Sequence, residues 1–309
     1  MRAPAVVTAS PGDRHDPRAA IASFTGRFSL EATRPKPADV EALKAAVPAG
    51  TAVYLSAIPT RPLAELADAA KLVRSAGFEP VPHLAARAIP SVEALDGLLA
   101  ATTREAGVRR VLVIGGDTDP AQGPFHGAVE VIESGLLSRH GVVEIGIAGH
   151  PDGHPRIGDH QLDRIILAKI EAAQAIGLKL HIVTQFCFDA APILAWLARM
   201  RDLGVDAPVR VGLAGPASLT ALMGYARRCG VRASTGALAR NAGLVKNLFG
   251  GTAPDAILRA LVEKLGEAGD VAPHFFSFGG VPATARWAAA VAAGHIALDR
   301  TEGFSVEAR

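Results

Sequence analysis

Several short apolar runs of this 309-residue chain end on a polar or ionisable side chain. In order, these are Glu31, Ser56, His83, the Gly115-Gly116-Asp117 turn, His150 with His154, Gln185 and Ser277. Carboxyl and imidazole groups move protons near neutral pH, and a primary amide both donates and accepts hydrogen bonds. Such a set, delivered at one end of successive elements, suits proton transfer to a small polar molecule. Local duties compete with that reading. Glu31 stands close enough to Arg34 in sequence to pair with it at the surface. Asp117 has the type of an Asx-turn or helix N-cap residue, and His83 that of a satisfied core histidine. Gln185 closes an apolar run, where a buried amide needs partners at both ends. His150 and His154 have the i, i+4 spacing of helical metal ligands, but the prolines and glycine of His150–Pro155 exclude a helix there. No metal is expected.

The runs that would carry these residues read as strands. They are Arg27–Glu31, Ala52–Ala57, Pro80–Ala85, Arg110–Ile114, Val143–Ala148, Leu180–Gln185, Val209–Leu213 and His274–Phe278. Several are β-branched or apolar almost throughout, as in a parallel sheet covered on both faces. Between them the spacing is helical: Leu63, Leu66, Ala67 and Ala70 share a face, with Lys71 and Arg74 turned outward. Gly77, Gly107, Gly204 and Gly230 each follow such a stretch, at the position where a helix ends in the left-handed conformation. Eight strand–helix alternations predict a (β/α)8 TIM barrel rather than a doubly wound sheet, because no Gly-x-Gly-x-x-Gly follows the first strand. The stretch from Leu213 to Pro273 is long for one unit, so extra helices are expected between strands seven and eight. Residues 1–20 read as a flexible tail and residues 21–309 as a single catalytic domain.

Composition narrows the class. With 32 Lys and Arg against 30 Asp and Glu, the chain lacks the excess positive charge that nucleic acid requires. At 49% hydrophobic and 20% charged it is neither disordered nor low in complexity. Cys187 and Cys229 are too few for a disulfide framework. No signal peptide or membrane span is read, so a soluble, cytoplasmic protein is expected, with homo-oligomerisation left open.

Thr184–Asp189 (TQFCFD) resembles the Thr-Gln-Phe-x-Phe-Asp run that ends the sixth barrel strand in the methylenetetrahydrofolate reductase family. Five further pieces are similar to that family in order and at compatible spacing: Ser29–Glu31, Pro82–Leu84, Gly115–Asp117, His150–Pro155 and His274–Phe278. The resemblance implies reduction of 5,10-methylenetetrahydrofolate to 5-methyltetrahydrofolate by NAD(P)H through FAD. The folate's five-membered ring must open to an iminium cation before it is reduced, and opening needs a proton at N10. The resemblance places Glu31 as that general acid. A carboxyl group with an ordinary pKa of about 4.3 must then be kept protonated by apolar burial or a nearby anion, and Phe28 and Leu30 flank it. By the same resemblance, Asp117 favours the cation and contacts both flavin and folate, and Gln185 holds the pterin. Tyr225 packs on an aromatic ring of the substrate, and Lys169 faces the cofactor's phosphates. Ser56, His83, Gly116, His126, His150 and His154 line the flavin.

The chain also departs from the family pattern. Gly115 replaces an arginine, Leu162 stands where an aspartate is expected, and Gly279-Gly280 replaces Asn-Arg. These changes fall mainly on the flavin side. Two alternatives therefore accompany the first expectation: the same reaction by direct transfer from the nicotinamide without flavin, and a folate-binding protein that has lost catalysis.

Overall fold

A computed structural model describes residues 16–231, 252–266, 268–300 and 303–307. Eight parallel strands close into a barrel in the order β1 to β8. They are β1 (Ser29–Ala32), β2 (Ala52–Leu55), β3 (Glu79–Ala85), β4 (Arg110–Ile114), β5 (Glu144–Gly149), β6 (Lys179–Thr184), β7 (Val209–Ala214) and β8 (Val271–Phe276). Closure is made by β8 pairing with β1, Ser29 opposite His274 and Glu31 opposite Phe276. The expected TIM barrel is thus the observed fold.

Helices cover the outside: α1 (Pro17–Thr25), α2 (Pro37–Ala46), α3 (Leu63–Ser75), α4 (Val92–Ala106), α5 (Ala128–Glu133), α6 (Leu136–Arg139), α7 (Asp159–Ala175), α8 (Ala190–Asp202), α9 (Leu219–Cys229), α10 (Asp255–Lys264) and α11 (Val281–Ala292). Local sequence explains their ends. Ser91 accepts the Ala94 N–H at the start of α4, and Gly107 closes that helix at φ 56°. The face of α3 expected to be apolar is the buried one, through Leu66, Ala67, Ala70 and Val73. Between β7 and β8 lie α9 and α10, the expected additional helices, separated by residues 232–251, which are outside the described residues. Helix α1 begins at Pro17, inside the stretch read as a tail, and buries Ile21; residues 1–15 lie outside the described residues. A two-stranded sheet, β9 (Ile296–Leu298) with β10 (Phe304–Val306), ends the chain. Among the described residues no helix is long and apolar enough to cross a membrane.

Strand alternation divides the core in two. Outward residues such as Leu30, Val53, Val113, Ile147, Val211 and Phe275 join the helices in one continuous apolar layer. The inward set contains a small apolar cluster of Tyr54, Val81, Leu112 and Val183. It also carries His83, His181 and His274, all buried.

Strand eight differs from its expected span. It starts at Val271 rather than His274 and ends at Phe276, with Pro273 inside it opposite Val211. Proline cannot donate to the ladder, yet Pro273 is accommodated inside the strand. Ser277 and Phe278 consequently lie in the turn after the strand.

Candidate active site at the barrel mouth

In a closed parallel barrel every strand ends at the same rim, so the tips of β1, β4 and β6 face one opening. Glu31, Asp117 and Gln185 come from those tips. Glu31 lies within β1, Asp117 follows β4 by a short turn, and Gln185 follows β6 directly. The three are brought to one face of the fold.

Glu31 is the best-defined group. Ser56 Oγ donates to its Oε1 at 2.6 Å, and Ser56 Oγ is 2.9 Å from Thr33 Oγ1. Its Oε2 is 3.4 Å from His274 Nε2 and 3.8 Å from His83 Nε2. The surface pairing with Arg34 is not formed. Burial pushes the carboxyl group's pKa upward, but His83 charge and the bonds from His274 and Ser56 outweigh it and leave it below its ordinary value. Burial also drives His83 toward its neutral form, below the usual histidine range. His83, together with the His274 and Ser56 bonds, thus favours the ionised form of Glu31 at neutral pH. This differs from the expectation of a carboxyl group protonated by apolar neighbours. Phe28 and Leu30 belong to the outer apolar layer, because successive strand residues point to opposite faces.

Asp117 is on the other side of the opening and largely exposed, its side chain 87% accessible and 3.8 Å from Arg156. Gly116 makes the turn at φ 83°, and a Cβ there would come within 3.2 Å of Ala85 Cβ. Glu31 and Asp117 both act on one thiol. Burial raises the Cys229 pKa to about 11, with both carboxylates adding to the effect. Gln185 accepts the Phe186 N–H through Oε1 at 3.0 Å, while its amide nitrogen has no hydrogen-bond partner among the described residues.

Aromatic rings form one wall. Tyr225 stacks on Phe278 with centroids 4.0 Å apart, and Phe278 in turn meets Phe276 and Phe186. In the turn after β5, His150 and His154 meet edge to face at 5.2 Å. Burial, with His154 and Lys169 nearby, lowers His150 to about 4, so it is neutral near pH 7. Lys169, on α7, is buried, and burial alone lowers it to about 8. It has no carboxylate partner among the described residues. His126 is exposed and contributes only its carbonyl, to Arg87 at 3.4 Å. No group of His, Cys, Asp and Glu that could hold a metal ion occurs among the described residues.

The sequence reading gave no role to His274, Phe276 or Phe278. For His274 and Phe276 the signal was the alternation that turns them away from Phe275, which faces the outer layer; Phe278 follows in the turn after the strand. The replaced positions have also acquired structural contexts. Leu162 is buried in α7. A Cβ on Gly279 would lie 2.0 Å from the Pro216 carbonyl oxygen, so backbone of the β7–α9 connection occupies that space. At Gly115, by contrast, a Cβ would meet nothing within 4 Å.

The fold and its rim define a (β/α)8 barrel with proton-transfer and hydrogen-bonding groups collected at the carboxyl ends of its strands. Residues 37–236 match the family described as methylenetetrahydrofolate reductase, a span holding Ser56, His83, Asp117, Lys169, Gln185 and Tyr225. The chain belongs to the methylenetetrahydrofolate reductase family. It is 28% identical over 148 residues to methylenetetrahydrofolate reductase 2 of Saccharomyces cerevisiae, a match covering 44% of this chain and 23% of the yeast protein. The shared region is thus about a quarter of that relative's length. A Clostridium thermocellum protein described as binding two copies of 5-methyl-5,6,7,8-tetrahydrofolic acid has the same fold. It is 10% identical, with a TM-score of 0.58, over 86% of this chain and 93% of that one.

The rim's donor set suits a dinucleotide in one respect. Lys169 is a buried cation without an anion among the described residues, and a diphosphate, present in both FAD and NAD(P)H, would complete it.

Proposed function

We propose that this chain reduces 5,10-methylenetetrahydrofolate to 5-methyltetrahydrofolate with NAD(P)H as reductant and FAD as cofactor. The observation that carries the reading is Glu31, buried at the foot of the opening and hydrogen-bonded by Ser56, on the same rim as Asp117 and Gln185. A folate covering the opening would displace the water around Glu31, and this loss of solvation raises the carboxyl pKa toward the protonated form. Glu31 then gives its proton to N10 and the ring opens. The exposed carboxylate of Asp117 offers negative charge to the resulting cation. Gln185 turns its free amide nitrogen, and the second lone pair of its oxygen, to the pterin edge. Tyr225 and Phe278 supply a flat face for the aryl ring. Lys169 holds the dinucleotide phosphates, with neutral His150 and His154 beside them. Bound there, FAD would carry reducing equivalents from NAD(P)H to the one-carbon group.

The experiment is Glu31→Gln. It should lower turnover by at least about a hundredfold while folate still binds; undiminished turnover would refute the acid assignment. A second reading, direct transfer from NADH, is favoured by the open space at Gly115 and the buried Leu162. The visible spectrum of the purified protein separates the two. A yellow protein whose reduced flavin is reoxidised by the folate supports the first, and a colourless protein with full NADH-dependent activity selects the second. Tight folate binding with no turnover would reject both.

A further inference from the structure

Beneath the mouth, the barrel interior holds a hydrogen-bonded chain that the reaction as described does not use. Ser29 Oγ is 2.8 Å from His274 Nδ1, and the opposite ring nitrogen, Nε2, is 3.4 Å from Glu31 Oε2. His274 is fully buried, its ring edge-on to Tyr54 at 4.7 Å and to Phe276 at 5.0 Å. The neighbouring Tyr54 hydroxyl belongs to a separate set, bonded to His181 Nε2 at 2.7 Å. Ser29 opens the first strand and lines a cavity of about 350 Å³ at the amino-terminal end of the barrel, with Arg27, Thr51, Arg110 and Arg210 around it. Ser29 and His274 therefore join Glu31 to space on the face opposite the mouth.

We infer that Ser29 and His274 deliver a proton to Glu31 from the amino-terminal cavity while substrate closes the mouth. The inference rests on Glu31 being the acid. That acid is ionised at rest and must be loaded after water has been displaced from above. In the delivery step His274 starts with its proton on Nε2. It passes that proton to Glu31 Oε2 as Nδ1 takes the Ser29 hydroxyl proton, and Ser29 regains one from cavity water. Glu31 then releases its proton to N10, the single proton the reduction consumes. The ring is left protonated on Nδ1. When product leaves, water at the mouth protonates Glu31 and through it Nε2, while the Nδ1 proton returns to Ser29 and the cavity. One proton enters from the mouth side per cycle, and both ends of the relay are restored.

The groups facing the relay are His83 on β3, Ser56 after β2, Tyr54 on β2 and Phe276 on β8. Among these, only Ser56 and His83 also contact Glu31, and neither reaches the amino-terminal cavity.

The test measures folate reduction by the full chain in mixtures of H2O and D2O. The relay moves more than one proton at once, so the wild-type rate should bow downward against deuterium fraction; a straight line overturns it. Ser29→Ala should lower kcat by about a hundredfold with KM within twofold, and Ser29→Thr, which keeps the hydroxyl, should restore it. A Ser29→Ala kcat within twofold of wild type overturns the relay. If the wild type does not reduce the folate, the functional reading fails by itself. The relay is then decided by the 15N shifts of the His274 ring, which Ser29→Ala must move at both nitrogens; unmoved shifts overturn it.

Discussion

Replacing Lys169 with methionine should make the protein more stable and a poorer binder of dinucleotides. The lysine is 6% exposed and its pKa falls from 10.5 to about 8 by burial alone. That difference corresponds to roughly 3 kcal/mol against the charged form in the folded state. The sign follows from proton counting. Between pH 8 and 10.5 the unfolded chain holds more protons at this site than the folded one, so stability rises with pH across that window. The penalty is complete below about pH 8 and gone by about pH 10.5. Lys169→Met, which keeps the apolar stem, should raise the unfolding midpoint at pH 7 by about 6 °C, near 2 °C per kcal/mol for a chain of this size. The gain should vanish above about pH 10.5. In the same assay NADH or FAD should raise the wild-type midpoint and hardly move the variant's, because loss of a charged phosphate contact weakens binding by about tenfold or more. Thermal unfolding at the two pH values, with and without dinucleotide, reads all of this. A variant no more stable than wild type at pH 7, or equally stabilised at both pH values, would refute the account of a buried cation awaiting an anion.

Gly115→Arg should fold normally, since a Cβ there meets nothing within 4 Å, and should increase the flavin retained on purification, read from visible absorbance. Gly279→Ala should destabilise the barrel by about 2 kcal/mol or more in denaturant unfolding, because its methyl group would lie 2.0 Å from the Pro216 carbonyl oxygen. Acid should weaken the fold through Glu31. Its carboxyl group lies below its ordinary range, so its contribution is present above the unfolded pKa of about 4.5 and lost as pH falls through the folded value. Glu31→Gln should flatten that part of the pH–stability curve.

The barrel was legible because its information is periodic and local. Apolar runs alternating with helical spacing, and glycines at helix ends, mark the units one by one, and closure is the familiar way to bury such a set. The rim residues were legible for a related reason. A polar group ending an apolar run has few structural duties, so Glu31, Ser56, His83 and Gln185 stood out from their surroundings. Strand eight was misread at its start because Pro273 imitates a boundary when only nearest neighbours are considered, whereas its pairing with Val211 is a contact across the sheet.

Residue order was enough to determine the strands and their order around the barrel, since apolar runs and helical spacing depend on nothing remote. The charge of Glu31 was decided elsewhere. It depends on His83 from β3, on Ser56 just after β2 and on His274, 243 positions away, which only barrel closure brings to the carboxylate. Flanking residues Phe28 and Leu30 looked like its environment and proved to face away. Lys169 is a similar case: its type is written in the chain, but its burial, with no anion beside it among the described residues, is a property of the packed interior. Protonation answers to the whole surrounding field and solvent access, and those exist only once distant strands have met.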